Sequence, residues 1–496
     1  MKRWAEKIAL ILAVCCALAV MAAYATSLHS EGRSLAAREK LAQQLRVRVA
    51  ERLQASGAQH LGPLEPPVPL SPAEESARGK VEAETLMVRM DEIESHRIGN
   101  GAGSVDINFI KELLDKPAAN WTEEEVAQLR QFLAAHQGLL AELRAAAQRG
   151  IALPALDYSE GFALQLPHLQ ALRDMTRVLR ADALLQLRDG MAEAAIDDLI
   201  AIMGIADALQ DEPLLISQLV RFSQYRLAAD TLRDIHNAGG AGPQFVQRIL
   251  RALDAGLGRE AFADSIAMEG MVGMRFFSDP DLEALGEGVN SPPYRFLLNL
   301  YTTPFASPLL DADEAVYGEI LAEAASFAGL PYYEARERLR ALEARLSATS
   351  RLRVFTHLLV PSLDNIFLAQ ARQEAVIEVA RVGLAVEQYY FEHGAFPESI
   401  GGVAGYLGGA LPVDPFTGAM LRYHAGGAGF HVYSVGQNME DDGGEENSDL
   451  LQGDIVWRGG APAQKMADWE VRNGADFLYG AGAISGNAAC VVKWSF

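Results

Sequence analysis

The sequence predicts a mainly helical, multi-domain protein that ends in a small α+β unit. A chain of 496 residues is too long for one hydrophobic core. Apolar residues recur at helical spacing through its middle, and after Gly394 the composition shifts to Gly, Pro, Tyr and Val in short strand-like segments. We therefore divide the chain into a membrane anchor or signal (1–30), a charged helical stalk with a Pro-rich linker (31–105), an all-helical domain (106–364), an α+β head (365–459) and a tail (460–496).

The N-terminus has the pattern of a membrane segment. Basic residues at Lys2, Arg3 and Lys7 precede an uncharged run from Ile8 to Ala25, which spans about 27 Å as a helix, close to the thickness of a bilayer's hydrocarbon core. The segment predicts an uncleaved anchor or, as the alternative, a signal peptide cleaved after an A-x-A-like site. In both cases the basic flank stays in the cytoplasm, so we expect a single-pass protein of a bacterial inner membrane with its body in the periplasm.

Charge and cysteine content narrow the function classes. The formal net charge is −22, which argues against nucleic acid as a partner because phosphate binding needs clustered Lys and Arg. Beyond the apolar run the only cysteine is Cys490. A translocated body with one thiol has no internal disulfide, so its stability must come from its core, with metal as a further contributor.

The helical block contains recognisable helix signals. Thr122 and Glu125 have the spacing of a capping box, which predicts a helix that continues to about Arg149. A helix from about His168 to Asp189, a turn at Gly190 and a second amphipathic helix predict a hairpin of the tetratricopeptide type. No pattern recurs at a fixed period, so the prediction is an all-helical domain, with a tetratricopeptide-like scaffold as one alternative.

The C-terminal part reads as one long helix followed by an antiparallel sheet. The helix begins near Asn365 and ends at Gly394, a favourable residue to follow a helix. Strand-like segments follow at Leu421–His424, Phe430–Val435 and Ile455–Trp457. One helix feeding a small sheet is an α+β arrangement.

The loop between the last two predicted strands is unusually acidic. Between Tyr433 and Trp457 it carries seven carboxylates around Gly443 and Gly444. Like charges at this density repel one another, and a calcium ion, which takes six to eight oxygen ligands, would reverse the repulsion. The alternative is a solvated acidic hairpin loop without metal. The spacing is off-pattern for an EF-hand, and its flanks read as strands.

The same region resembles the globular head of type II secretion major pseudopilins. The resemblance covers about Ala371 to Trp457 and rests on EQYYFEHGAFP, LPVDPFTGAMLRYH, GFHVYSVG and the closing DIVW. It implies an α+β head whose last loop binds a structural calcium ion. By position, the closing aspartate corresponds to Asp454, and the loop contributes Asp441, Asp442 and Asp449.

The chain departs from the pseudopilin pattern in two places. Asn438–Met439 stands where the family usually has Asp-Gly, and the N-terminus lacks the Gly-Phe junction at which pseudopilins are processed. We therefore expect a head that is reused in another protein rather than an ordinary pilus subunit, because a shared fold does not transfer function. The whole arrangement also resembles uncharacterised bacterial envelope proteins with a helical domain.

Two further groups of residues are candidates for chemistry. Glu269 lies on one helical face with Phe262, Ile266, Gly273 and Phe276. Such a carboxylate is a catalytic candidate or, as we favour, a structural acid neutralised by an arginine such as Arg275 or Arg221. His424 and His431 fall on neighbouring strands, where exposed strand residues are favoured over a shared metal site.

No catalytic motif stands out in the sequence. It contains no HExxH, P-loop or GxSxG signature, and YGAGAISG at 479–486 leaves no room for a dinucleotide-binding unit. We expect a non-enzymatic, membrane-anchored structural or adaptor protein that binds protein partners in the envelope and is linked to protein secretion. The alternatives are an enzyme with its site in the helical domain and a helical-repeat scaffold.

Overall fold

The computed structural model describes residues 29–30, 32–44, 106–239, 242–278, 307–426, 429–446 and 452–460, with a few single residues between these ranges. Within them the chain is mainly helical and carries a three-stranded antiparallel sheet close to its C-terminal end. The coarse fold class predicted from the sequence is therefore confirmed. In the described ranges no helix is both long and apolar enough to cross a membrane; the predicted anchor, residues 8–25, lies outside them, as does the tail after residue 460.

The elements follow one another in this order. The helices are α1 (residues 29–30 and 32–44), α2 (Ile107–Leu114), α3 (Glu123–Ala135), α4 (Gln137–Arg149), α5 (Pro167–Arg188), α6 (Ala192–Ala208), α7 (Leu215–Asn237), α8 (Pro243–Asp254), α9 (Glu260–Ser278), α10 (Ser307–Phe327), α11 (Tyr332–Ala348), α12 (Val354–Leu359) and α13 (Leu363–His393). The strands are β1 (Val81–Glu82), β2 (Ile151–Ala152), β3 (Arg422–Gly426), β4 (Gly429–Ser434) and β5 (Ile455–Gly460). Strands β1 and β2 pair in parallel, whereas β3, β4 and β5 form the antiparallel sheet in that order.

Local signals determine where several helices begin and end. The capping box at α3 is present: the Glu125 N–H donates to Thr122 Oγ1 at 3.2 Å, and the Thr122 N–H donates to Glu125 Oε2 at 2.8 Å. The predicted single helix from here to Arg149 is wrong, because the backbone leaves helical geometry at His136 and separates α3 from α4. Nδ1 of the His136 ring lies 2.7 Å from the carbonyl oxygen of Phe132. The ring thus provides a hydrogen-bond partner for a carbonyl group at the end of α3 that has none within the helix.

The predicted helical hairpin is confirmed. Helices α5 and α6 are joined by a short turn in which Gly190 has φ of +76°, a left-handed conformation that glycine adopts without strain. The Met191 N–H donates to the Gln186 carbonyl at 2.8 Å and closes the end of α5. Whether this pair belongs to the tetratricopeptide type stays a prediction.

Helix α13 connects the helical part of the chain to the sheet. Ala371 and Ala375 pack in a core formed mainly with α1 and α9–α12, whereas Ile377 and Val382 pack in a second core with α2–α8 and the sheet. The helix is thus buried along most of its length by residues from both sides. A division of the chain at residue 364 therefore does not separate two independent cores.

The sheet lies on α13 through one of its faces. Phe430, Val432 and Trp457 point towards the helix and are at most 4% exposed. Trp457 packs directly on Gly383, where a Cβ atom would lie 2.2 Å from Cδ1 of the indole. The ends of the three strands agree with the predicted segments to within three residues.

Helix α1 packs on the helical body. Ala37 and Leu41 are 4% and 0% exposed and contact α9 and α10. The described part of the predicted stalk is therefore not a free-standing helix. Ser30, Ser34, Ala37 and Leu41, spaced three or four residues apart, form the buried face of α1.

Candidate functional site

The candidate site is the face of the sheet that points away from α13, together with the acidic loop between β4 and β5. Arg422 and His424 of β3 lie opposite Tyr433 and His431 of β4, and Arg458 of β5 lies opposite His431. Because side chains alternate along a strand, these five residues share one face. The loop after β4 folds back over this face.

Three rings line the centre of this face. The ring centroids of His424 and His431 are 5.0 Å apart, and each ring stacks beside Tyr433 at 6.0 and 5.6 Å. Partial burial, with Arg458 and His424 nearby, lowers the pKa of His431. A neutral imidazole packs against the other rings without the repulsion that a charged ring would meet beside Arg458.

Asp441 closes one side of the loop. Its Oδ1 accepts a hydrogen bond from the Tyr433 hydroxyl at 2.9 Å and another from the Gly443 N–H at 3.1 Å. Its Oδ2 lies 3.2 Å from Nε of Arg422. These donors, the Tyr433 hydroxyl first, lower the pKa of Asp441, while burial and the bond to Asp441 raise the pKa of Tyr433 to about 12. Asp441 is therefore a carboxylate stabilised by protein donors.

Asp454 closes the other side of the loop from the start of β5. Its side chain is buried, and Oδ2 accepts the Gly444 N–H at 2.7 Å, while the Asp442 N–H lies 3.5 Å from Oδ1. Gly443 and Gly444 have φ of +73° and +83°, and these left-handed conformations allow the Gly443 N–H to face Asp441 and the Gly444 N–H to face Asp454. Burial raises the pKa of Asp454, and the charges of Asp442 and Asp441 raise it further.

Three of the four residues expected to bind calcium therefore lie close together, but they do not aim at one point. Asp441 faces Tyr433 and Arg422, Asp454 faces backbone N–H groups, and Oδ2 of Asp442 accepts a hydrogen bond from Asn438 at 3.0 Å. Asp449 lies outside the described residues. Over the described part of the chain, no group of three or more His, Cys, Asp or Glu side chains is arranged to hold a metal ion.

Arginines from the helical body hold the loop. Arg233 of α7 lies 3.5 Å from Glu446, Arg336 of α11 contacts the sulfur of Met439, and Arg372 of α13 contacts Gln437. These arginines are 213, 103 and 65 residues from their partners in the chain. Sequence reasoning missed them because nothing local marks an arginine as the neighbour of a distant loop.

The DPFTG segment before β3 is a hydrogen-bonded turn. Asp414 is 2% exposed, and its carboxylate accepts the N–H of Phe416 and the N–H of Val435, each at 2.9 Å. The first bond shapes the turn, and the second ties it to the end of β4. Phe416, which the turn projects inwards, is fully buried beside Tyr332 at a centroid distance of 6.1 Å. The DPFTG motif, one of those on which the pseudopilin resemblance rests, is thus a structural clamp in this chain: it holds the turn against the end of β4.

The outer edge of β5 is occupied by two side chains of α7. Arg233 Nη2 donates to the Val456 carbonyl at 3.2 Å, and His236 Nε2 lies 3.1 Å from the Arg458 carbonyl. These alternate carbonyl groups point away from β4, in the direction of an additional strand. Side chains of the helical body therefore take the place of a neighbouring strand along this edge.

Glu269 does not have the arginine partner that we expected. Its pKa is raised to about 7 by burial. Arg221 instead lies over the Tyr225 ring at 5.5 Å and donates to the Ala255 carbonyl at 3.1 Å. Among the described residues neither Arg221 nor Arg275 forms an ion pair with Glu269, so the proposed neutralisation is wrong. The rest of the prediction for this face holds, since Phe262, Ile266 and Phe276 are buried.

Comparison of the chain with known protein families, with curated proteins and with solved structures gives no match.

Proposed function

We propose that this protein is a membrane-anchored structural or adaptor protein of the bacterial envelope that binds partner proteins through the open edge of its sheet. The observation that carries the proposal is the difference between the two edges of that sheet. The edge of β5 is occupied by Arg233 and His236, whereas every residue of β3 except Tyr423 is exposed. An exposed edge strand offers backbone N–H and C=O groups to a strand of another chain.

The chain beside this edge adds apolar surface. Val413 and Met420, which flank the DPFTG turn and pair in an isolated antiparallel bridge, are 41% and 55% exposed. A partner strand along β3 would gain backbone hydrogen bonds from the edge and hydrophobic contact from these two side chains. The surrounding structure is fixed, because Asp414 ties the turn to β4 and α7 ties β5 to the helical body.

The location of the protein rests on the sequence of its N-terminus. The apolar run at 8–25 with its basic flank supports a single inner-membrane span with the body in the periplasm. The resemblance of residues 371–457 to pseudopilin heads supports a link to protein secretion. The arrangement of α13 followed by an antiparallel sheet agrees with that resemblance at the level of fold class, which alone does not transfer a function.

Calcium is part of the proposal as a structural ion of the acidic loop. The donors are hard oxygen ligands of the type that calcium takes, and Asp441 and Asp442 raise the pKa of Asp454, as expected of carboxylates close enough to repel one another. In the described arrangement these carboxylates hold protein donors instead. Calcium binding would therefore require Asp441, Asp442 and Asp454 to exchange at least some of these partners.

The proposal is tested by photo-crosslinking in the native envelope. A photoreactive amino acid is placed at position 425 on β3, and at position 148, an exposed residue of α4, as the control. We expect discrete crosslinked protein adducts from position 425 and none from position 148. We also expect the full-length chain to be found in the membrane fraction. Absence of adducts at 425, or equal adducts at both positions, contradicts binding at this edge.

An enzyme with its site in the helical domain is the second candidate. The observation that favours it is Glu269, a carboxyl group whose pKa is raised to about 7 by burial and could exchange a proton near neutral pH. The Tyr317 hydroxyl donates to the Glu269 backbone carbonyl at 3.0 Å rather than to its carboxyl group. The carboxyl group thus has no described partner for catalysis, and we place this candidate second.

A further inference from the structure

Helix α1 begins almost directly after the predicted membrane segment. The apolar run ends at Ala25, and the first described helical residue is His29. Even a fully extended chain covers at most about 14 Å over these four residue steps. The position of α1 in the body therefore limits how far the body can lie from the bilayer.

Two glycines make the seat of α1 close-fitting. A Cβ atom at Gly318 of α10 would lie 2.9 Å from the Cβ of Ala37, and one at Gly270 of α9 would lie 2.9 Å from Cδ1 of Leu41. Small residues at both positions allow α1 to approach the backbones of the two helices. Ala37 and Leu41 are consequently almost completely buried, so α1 belongs to the body and cannot act as a spacer while this contact holds.

Ion pairs hold α1 on α10. Arg33 contacts both carboxylate oxygens of Glu319, with Nε 2.6 Å from Oε1, and this two-point geometry fixes the orientation of the guanidinium group. Arg38 contacts Glu314 and also donates to Ser278 Oγ at 2.8 Å. Glu314 and Glu319 of α10 are therefore neutralised by arginines of α1, although the whole chain has a net charge of −22.

We propose that the face of the body formed by the N-terminal half of α1 lies directly against the bilayer surface. The inference rests on the proposed membrane anchor and adds to it the partner of this face, a phospholipid surface. Leu35 is 67% exposed on this face, between two arginines whose charges are balanced. The exposed Glu39 lies one helical turn from Leu35, so the short link to the anchor and the apolar Leu35 side chain, rather than the charge of this face, favour a position in the headgroup region of a membrane.

The test uses the full chain reconstituted in vesicles of phosphatidylethanolamine and phosphatidylglycerol. An environment-sensitive fluorophore is attached to a cysteine at position 35 or, as the control, at position 148, in a chain whose three native cysteines are replaced by serine. Position 148 is exposed on α4, whose buried residues belong to the other core. Lipids that carry a nitroxide in the headgroup region quench fluorophores close to the bilayer surface.

We expect quenching at position 35 to exceed quenching at position 148 at least twofold. Equal quenching at the two positions, in a chain that resists extraction by alkaline carbonate, overturns the inference and leaves the anchor intact. Extraction of the chain by carbonate refutes the anchor itself, and the inference falls with it.

Discussion

Nδ1 of His236 lies 2.8 Å from Oε1 of Glu387, and both side chains are almost completely buried. His236 belongs to α7, Glu387 to α13, and the other ring nitrogen of His236 lies 3.1 Å from the Arg458 carbonyl of β5. The imidazole ring also packs on Trp457 at a centroid distance of 4.8 Å. One side chain thus joins the helical domain, the long helix and the sheet at a single point.

Replacement of His236 by alanine should destabilise the protein by about 3 kcal/mol, because it takes a partner from a buried carboxylate and from a β5 carbonyl. The loss is measured as the change in the free energy of unfolding in urea. His357→Ala, at an exposed position of α12, is the control and should change it by less than about 0.5 kcal/mol. Equal effects of the two variants would argue against a stabilising role for the contacts of His236 with α13 and β5.

Gly383→Ala should displace the sheet from α13. The added methyl group would lie 2.2 Å from Cδ1 of Trp457, so either the indole or the helix must move. We expect a loss of about 1–3 kcal/mol, as for overpacking in other cores, together with a shift in tryptophan emission. Gly329→Ala is the matched control, since a Cβ atom there meets nothing within 4 Å. An unchanged melting temperature for Gly383→Ala would mean that the two elements do not pack as described.

Asp414→Ala should open the DPFTG turn. The variant removes the acceptor of two backbone N–H groups, those of Phe416 and Val435, which lie in a buried environment. Hydrogen bonds to a charged group contribute about 1.5–3 kcal/mol, so we expect a loss in that range or above it. Glu398→Ala, at an exposed position in the preceding loop, serves as the control. Thermal unfolding of both variants distinguishes a structural clamp from an ordinary surface aspartate.

Glu269 should make the stability of the protein fall as the pH rises. Burial raises its pKa from 4.5 to about 7, so between these values the folded state binds the proton more tightly than the unfolded state. The stabilisation is complete below pH 4.5 and is lost as the pH rises to 7. The neutral variant Glu269→Gln should be more stable than the wild type at pH 8, by up to about 3–4 kcal/mol.

Urea unfolding at pH 5 and pH 8 measures this effect. The difference between the two pH values should shrink in Glu269→Gln and stay unchanged in the control Glu398→Gln. A Glu269→Gln variant that is less stable at pH 8 would show that the carboxyl group has a favourable charged partner.

Calcium should raise the melting temperature of the full chain if the acidic loop binds it. We expect a rise of several degrees in millimolar CaCl2 relative to chelator, and no rise for Asp454→Asn. The whole chain is required, because α13 is buried by helices that a C-terminal fragment would lack. An unchanged melting temperature in calcium would show that Arg422, Arg233 and the backbone N–H groups suffice to hold the loop.

Local features of the structure could be predicted from the sequence because they depend on neighbouring residues. The capping box at Thr122, the turn at Gly190 and the end of α13 at Gly394 each follow from backbone groups within a few residues. The three strands could be located because short runs rich in Val, Ile and aromatic residues stand between segments rich in Gly and Pro. The break at His136 was missed, since the apolar spacing continues across it.

The sequence by itself determined the helical class, the strand segments and the acidic composition of the loop. Only the tertiary structure decided what those carboxylates contact, that α1 packs on the body, and that α7 occupies one edge of the sheet. Arg233 and Glu446 illustrate the reason: they are 213 residues apart in the chain and 3.5 Å apart in space. Contacts of this kind depend on how helices pack, and helix packing is set by the shape of complementary surfaces, which local periodicity does not encode.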